Sequence, residues 1–373
     1  MRILYLFRSL AVWGGIERIL VDKMNWLVSE YDIEVFMLTT DQGEHPIPYQ
    51  IDERVHYEDF NINFHRKYQY NIIRRYRIAL QMRQKYKTLL SKRLFEIQPD
   101  IIVCTTADQI DIVTELKGNI PLIVESHSIC NRTIEQGKNV LLRKYHRYIF
   151  LKSLRKTDCI VSLTEGDAVE WRQFHQKVRV IPNLLHPCKS RKSSLASKRV
   201  IWVGRLDYQK RVEVALSIWN LVAQKHPDWR LDIYGEGELE SDIKKKVSLM
   251  KNTSVHKPTV RIFDCYCDSS ILISTSLFEP FGLVIIEAMS CGLPVVAFNC
   301  PYGPADIITD GIDGFLVPYD NIQYYTDRLC FLMENTSLLE RMGQAAFDSS
   351  KRFGADGIMP KWIALFNELS KKK

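Results

Sequence analysis

The stretch Ser276-Leu-Phe-Glu279-Pro-Phe-Gly-Leu-Val-Ile-Ile-Glu287-Ala-Met-Ser-Cys-Gly-Leu-Pro-Val-Val-Ala-Phe298 sets how the rest of the chain reads. Two carboxylates stand eight positions apart around a Phe281-Gly282 turn. An apolar helix and a buried strand follow at once. A loop-to-helix junction of this kind offers free backbone N–H groups and a positive dipole end to an anion. Glu279 falls in the loop and reaches a ligand's neutral hydroxyls. Glu287 falls one turn into the helix, where it can hold a diol behind the anion. Together they describe a site for a phosphate-bearing sugar.

Outward from this block, strands and helices alternate. Towards the N-terminus, the patterns predict strands at Ile3–Phe7, Glu34–Thr39, Ile101–Cys104, Pro121–Glu125, Asp158–Leu163 and Val178–Ile181. Helices are predicted at Gly15–Ser29, over most of Asn61–Phe95, and from an N-cap at Thr164 through Phe174. Leu184–Lys198 is polar, holds Pro187 and four serines, and reads as a linker. The pattern then restarts with strands at Arg199–Val203, Arg230–Tyr234, Ile271–Ser274 and Pro294–Phe298. Three helical patterns run from Asp320 to the end, the last about Asp356–Leu369. Strands alternating with helices imply parallel sheets covered on both faces. Two doubly wound domains in series place a ligand cleft at their carboxyl strand ends.

The length, 373 residues, suits two domains. No apolar run approaches the roughly 18 residues of a membrane helix. Met1–Arg8 reads as a strand and is too short in apolar residues for a signal peptide. Nine irregularly spaced cysteines argue against a disulfide framework and for a reducing cytoplasm. Cys265-Tyr-Cys267 lacks a second pair and reads as structural. The net charge is +7, and Asn61–Phe95 holds ten Lys or Arg and no acid. Lys138–Lys156 repeats the character with seven. Aromatic and aliphatic residues interleave in both. They read either as solvated helix faces or as attachments to an anionic membrane surface. No recognition motif supports nucleic acid.

The other distinctive loops also follow strands. Gly14-Gly15-Ile16-Glu17 opens the first helix and lets a backbone approach a phosphate. It is not G-x-G-x-x-G, which disfavours NAD. Arg205 and Lys210 can converge on a diphosphate, with an Arg205–Asp207 surface pair as the plainer alternative. Tyr234-Gly-Glu-Gly237 ends a strand in a tight turn. His127 follows a strand end and faces the expected cleft. The chain holds no Asp-x-Asp, no phosphate-loop motif and no G-x-S-x-G, so a bound metal is not implied.

In this order, Gly14-Gly15-Ile-Glu17, His127, Ile181-Pro182-Asn183, Val203-Gly-Arg205 with Lys210, Tyr234-Gly-Glu-Gly237 and Glu279-x7-Glu287 resemble a family 4 glycosyltransferase of GT-B fold. The resemblance implies an α/β architecture of two Rossmann-like domains facing a cleft. Residues 1–184 would take the acceptor and residues 199–355 the nucleotide sugar, with a helix at about 356–373 packing back on the first domain. It implies retaining transfer of a hexosyl or N-acetylhexosaminyl group from a nucleotide sugar, UDP before GDP or ADP, with no cofactor and no metal. The acceptor would be a lipid-linked glycan or polysaccharide of the bacterial surface, met at the inner face of the cell membrane. Arg205, Lys210 and the backbone N–H groups of Phe281, Gly282 and Leu283 would take the diphosphate, with Gly15 closing from the other domain. Glu287 would hold the ribose, Glu279 the donor sugar hydroxyls, and His127 would sit beside the sugar. An NDP-sugar 2-epimerase of the same fold and a non-catalytic nucleotide-sugar-binding protein are the rival readings.

Overall fold

A computed structural model describes residues 1–105, 109–135, 140–186 and 191–371. The linker residues Pro187 to Ser190, the basic residue Lys138 and the last two lysines lie outside the described residues. The chain divides into two compact units, Met1–Leu184 with Ile358–Lys373, and Leu185–Gly357.

In the first unit the chain runs β1 (Arg2–Phe7), α1 (Gly15–Glu30), β2 (Glu34–Thr39), β3 (His56–Asp59), a 3-10 turn (Phe64–Gln69), α2 (Ile72–Ile97), β4 (Ile101–Cys104), α3 (Ile110–Leu116), β5 (Leu122–Glu125), α4 (Cys130–Ile134), α5 (Val140–Leu154), β6 (Cys159–Ser162), α6 (Glu165–Trp171) and β7 (Val178–Val180). The strands form one parallel sheet in the order β3-β2-β1-β4-β5-β6-β7. β1, β4, β5 and β6 are almost wholly buried, as apolar runs with helices on both faces require. Tyr86, Leu90, Leu94 and Ile97 seat the second half of α2 on Leu4, Leu6 and Ile102. Further along the sheet, Phe150, Trp171 and Cys130 cover Val124 and Ile160. Thr164 caps α6 by accepting from the Asp167 amide at 3.3 Å.

The second unit runs β8 (Arg199–Val203), α7 (Val212–Lys225), β9 (Arg230–Tyr234), α8 (Glu240–Val247), β10 (Thr253–His256), α9 (Ile262–Cys267), β11 (Ile271–Ser274), α10 (Leu283–Ser290), β12 (Val295–Phe298), α11 (Gly303–Ile307), β13 (Gly314–Val317), α12 (Ile322–Glu334) and α13 (Thr336–Ser350). The order is β10-β9-β8-β11-β12-β13, parallel throughout. Trp202, Trp219, Ile233, Ile273, Phe298 and Tyr325 are the bulk of its core. α14 (Ala355–Ser370) begins at the end of this unit and continues into the first.

Three strands were not anticipated. β3 and β10 are outermost in their sheets and half-exposed, so they carry His, Glu, Asp, Thr and Ser rather than an apolar run. β13 is only four residues long and begins with Gly314, which has no side chain to mark a strand. The predicted helix through Phe174 stops at Trp171.

Candidate active site

In the second unit, three strand-end segments bring the predicted donor residues together. The loop after β8 carries Arg205 and Lys210. The Lys210 amide donates to Asp207 Oδ1 at 3.0 Å, and Thr275 Oγ1 donates to the Lys210 carbonyl at 3.1 Å. This fixes the backbone from which the lysine reaches. Its ammonium contacts Glu279 Oε2, which also accepts from Ser276 Oγ at 3.1 Å. Both side chains of the pair are largely buried, 15% and 9% exposed. The Glu279 backbone is clamped on each side, donating to Pro301 O at 3.1 Å and accepting from Gly303 N at 2.8 Å.

Gly303 permits this approach. A Cβ there would stand 1.7 Å from the Phe281 carbonyl oxygen, inside any allowed contact. Gly282 precedes α10 with φ +112°, a conformation L side chains rarely adopt. α10 has no side-chain cap and no acid in its first turn. Its leading N–H groups are therefore not capped by a side chain of its own first turn. Phe281 itself is buried, its ring edge-on to Phe353 at 5.7 Å, so only its backbone is suited to a polar ligand.

Arg205 differs from Lys210. Its side chain is 68% exposed, and Nη2 lies 3.1 Å from Asp207 Oδ2 and 3.2 Å from Gln209 Oε1. The surface pair weighed in the sequence is therefore present, and the guanidinium remains open to solvent. Gln209 ties this loop to the Glu279 loop by donating to the Phe278 carbonyl at 3.3 Å. Glu287 is buried one turn into α10, where its Oε2 accepts from Tyr266 Oη at 3.1 Å.

Gly15 and His127 belong to the first unit. Gly15 is the first residue of α1, and Glu17 lies in the same turn. Burial raises the Glu17 carboxyl, while its own backbone amide and the nearby His127 pull it back down. An acidic group thus stands in the first turn of this helix, whereas the first turn of α10 holds none. His127 lies in the loop after β5. That loop is tied by Ser126 N to Val161 O at 2.9 Å, Ser126 Oγ to Ser128 O at 2.7 Å, and Cys130 N to Asp167 Oδ1 at 2.7 Å.

A buried group missed in the sequence stands beside it. Lys23 Nζ lies 2.6 Å from both oxygens of Glu125, and each side chain is only 2% exposed. His127 Nε2 lies 3.3 Å from Glu125 Oε1. Burial alone would push the Glu125 carboxyl up, but Lys23 and His127 outweigh it and hold the value at about 2. A signal existed. Lys23 falls among Ile19, Leu20, Met24 and Leu27 on the buried face of α1, where a cation needs an anion to meet it. Among the described residues no group of three or more His, Cys, Asp or Glu is placed to hold a metal ion.

The comparisons with known proteins follow the same division of the chain. The family described as Glycosyltransferase Family 4 matches residues 13–187, and that described as Glycosyl transferases group 1 matches residues 189–349. The chain belongs to glycosyltransferase family 4. This family 4 chain is 29% identical over 358 residues to an uncharacterized glycosyltransferase of Haemophilus influenzae, spanning 94% of this chain and 95% of that protein. It is 26% identical over 380 residues to the amylovoran biosynthesis glycosyltransferase AmsD of Erwinia amylovora, spanning 98% and 99%. HepE of Anabaena, solved in complex with UDP and glucose, superposes with a TM-score of 0.74 at 18% identity, covering 99% and 100% of the two chains. That superposition places the family 4 chain in the GT-B fold.

Proposed function

We propose that the protein is a retaining glycosyltransferase that moves a hexosyl or N-acetylhexosaminyl group from a UDP-sugar to a lipid-linked or polysaccharide acceptor in bacterial surface glycan synthesis. The observation that carries this reading is the meeting of Lys210 from the loop after β8 with Glu279 from the loop after β11, which leads into the uncapped start of α10. The structural neighbour HepE was solved in complex with UDP and glucose, and the relative AmsD is named for amylovoran biosynthesis.

The chemistry follows from charge. A departing nucleoside diphosphate gains negative charge as the glycosidic bond breaks. Lys210 and Arg205 supply fixed cations, and the N–H groups of Phe281, Gly282 and Leu283 supply dipoles, each such donor contributing about 3 kcal/mol. Lys210 can serve both partners, since an ammonium has three donors. Against Glu279 it holds that carboxylate oriented towards the donor sugar's hydroxyls. Glu287 takes the ribose diol, Gly15 adds a backbone contact to the phosphates, and His127 contacts the transferred sugar. With cations and dipoles in place and no Asp-x-Asp in the sequence, the transfer runs without a metal.

The test is the reaction itself. Purified protein, a panel of nucleotide sugars and a lipid-extract acceptor should give a glycosylated product that keeps the donor's anomeric configuration by NMR, and turnover should survive excess EDTA. Inversion at the anomeric carbon, or loss of activity restored by magnesium or manganese, would overturn the mechanism. Consumption of the donor with no acceptor and a 2-epimer as product would replace it with an epimerase.

A further inference from the structure

We propose that Glu125 is the positioning residue of His127, held charged by Lys23, and that it fixes the imidazole so that Nδ1 is the ring atom left for the ligand. The inference rests on His127 contacting the transferred sugar.

Three observations in the first unit carry it. First, Glu125 closes β5 with its carboxylate sealed from water and bridged by Lys23 through both oxygens at 2.6 Å. Lys23 cannot turn elsewhere, because its ammonium stands 4.0 Å from the Trp362 ring of α14 and 5.2 Å from the Tyr5 ring of β1. The two rings add cation–π attraction and leave the carboxylate as its ionic partner. Second, His127 Nε2 faces Glu125 Oε1 at 3.3 Å, and the imidazole is 3% exposed. The contact is ionic in range without being aligned as a hydrogen bond. Third, Nδ1 is buried and has no hydrogen-bond partner among the described residues.

An ionised carboxylate only accepts. The ring nitrogen that faces it therefore carries the hydrogen. When the imidazole is neutral its one N–H is then at Nε2, and Nδ1 presents a lone pair. A buried lone pair without a partner is unfavourable in the free protein. A hydroxyl of the bound sugar, donating to Nδ1, would relieve it. Glu17 on α1 also senses His127. It opens its helix and is only partly buried, whereas Glu125 is fixed by the lysine. Glu125 is thus the group able to set the tautomer.

The test uses the full chain with 15N-labelled histidine. In the wild type, long-range 1H–15N correlations should show His127 with Nε2 protonated and Nδ1 bare. Nδ1 protonation would overturn the proposal, whatever the activity. The pair is then removed as a unit with K23M/E125M, because E125Q alone strands a buried ammonium and is liable to unfold. In this double variant the melting temperature should stay within about 4 °C of the wild type. The tautomers should become mixed. kcat should fall by about tenfold or more, with KM for the UDP-sugar within about twofold. A folded double variant that keeps the Nε2–H tautomer and kcat within about twofold of the wild type would overturn it. If the wild type turns over no nucleotide sugar, the enzymatic reading fails and the NMR result still decides the positioning.

Discussion

Arg205 and Lys210 carry the same charge, but their surroundings separate what each contributes. Arg205 is mostly in water and pairs at the surface, so its ion pair adds little to stability. Arg205→Ala should cut kcat/KM for the UDP-sugar by about two orders of magnitude and leave the melting temperature unchanged. Lys210→Ala should cost at least as much activity and should also destabilise the fold. It leaves the buried Glu279 carboxylate with Ser276, a loss of about 1–3 kcal/mol. Thermal melts beside kinetics on both variants check the split; turnover near the wild-type rate in both would remove the diphosphate assignment. Glu125 gives a dependence on pH with a definite sign. Its carboxyl sits at about 2 in the folded chain against an ordinary 4.5. The stabilisation is complete above the ordinary value and is lost as the pH falls from there towards 2. Urea midpoints measured across that window should fall less steeply for K23M/E125M than for the wild type. Equal slopes would show that the pair is not what acid disrupts.

At the scale of elements, the loops that follow the strands carry the site, and close backbone approach holds them in place. Gly303 opens α11 against the Phe281 carbonyl. Gly303→Ala should push the Phe281-Gly282 turn off its position, raise KM for the donor and lower stability by about 1–3 kcal/mol as overpacking does. Calorimetric titration with UDP and a thermal melt would check both, and an unchanged affinity would show that the turn does not bind the nucleotide. The same elements show what a sequence exposes and what it hides. Central strands such as Ile101–Cys104 and Ile271–Ser274 read correctly because burial on both faces demands an unbroken apolar run. The edge strands β3 and β10 escaped because half their surface is wet. In the site, single residues were legible from loop position and charge. Their pairings were not. Lys210 meets Glu279 across 69 residues and Lys23 meets Glu125 across 102, and only the sheet order brings such partners together.

Over the whole molecule the charge is +7, and one basic stretch of the first unit, Asn61–Phe95, holds ten Lys or Arg and no acid. The start of α2 is not seated on the core. Ile72, Ile73 and Tyr76 are 85%, 79% and 66% exposed, while the buried residues of the helix begin at Tyr86. The Arg75 guanidinium lies 4.0 Å from the Tyr68 ring and that of Arg74 4.7 Å from the Tyr70 ring. Exposed aliphatics, aromatics and arginines on one helical end are what an anionic lipid surface binds, each cation adding about 1 kcal/mol near the membrane. No helix among the described residues is long and apolar enough to cross a bilayer, so attachment would be peripheral. Not every cation of the segment takes part. Arg83 is tied to Gln109 and Asp111, and Lys85 donates to the Asn61 carbonyl at 3.2 Å. The protein should bind vesicles containing anionic lipid, bind neutral vesicles weakly, and release from the former at high salt through screening. Replacing Arg74, Arg75 and Arg77 with Gln should weaken that binding, and Ile72→Ser with Ile73→Ser should weaken it further at the same charge. Neither set touches the donor residues, so any slow hydrolysis of the UDP-sugar by water should be unchanged. Co-sedimentation that is equal on anionic and neutral vesicles at low salt would leave the stripe as a solvated face and move the acceptor towards a soluble glycan.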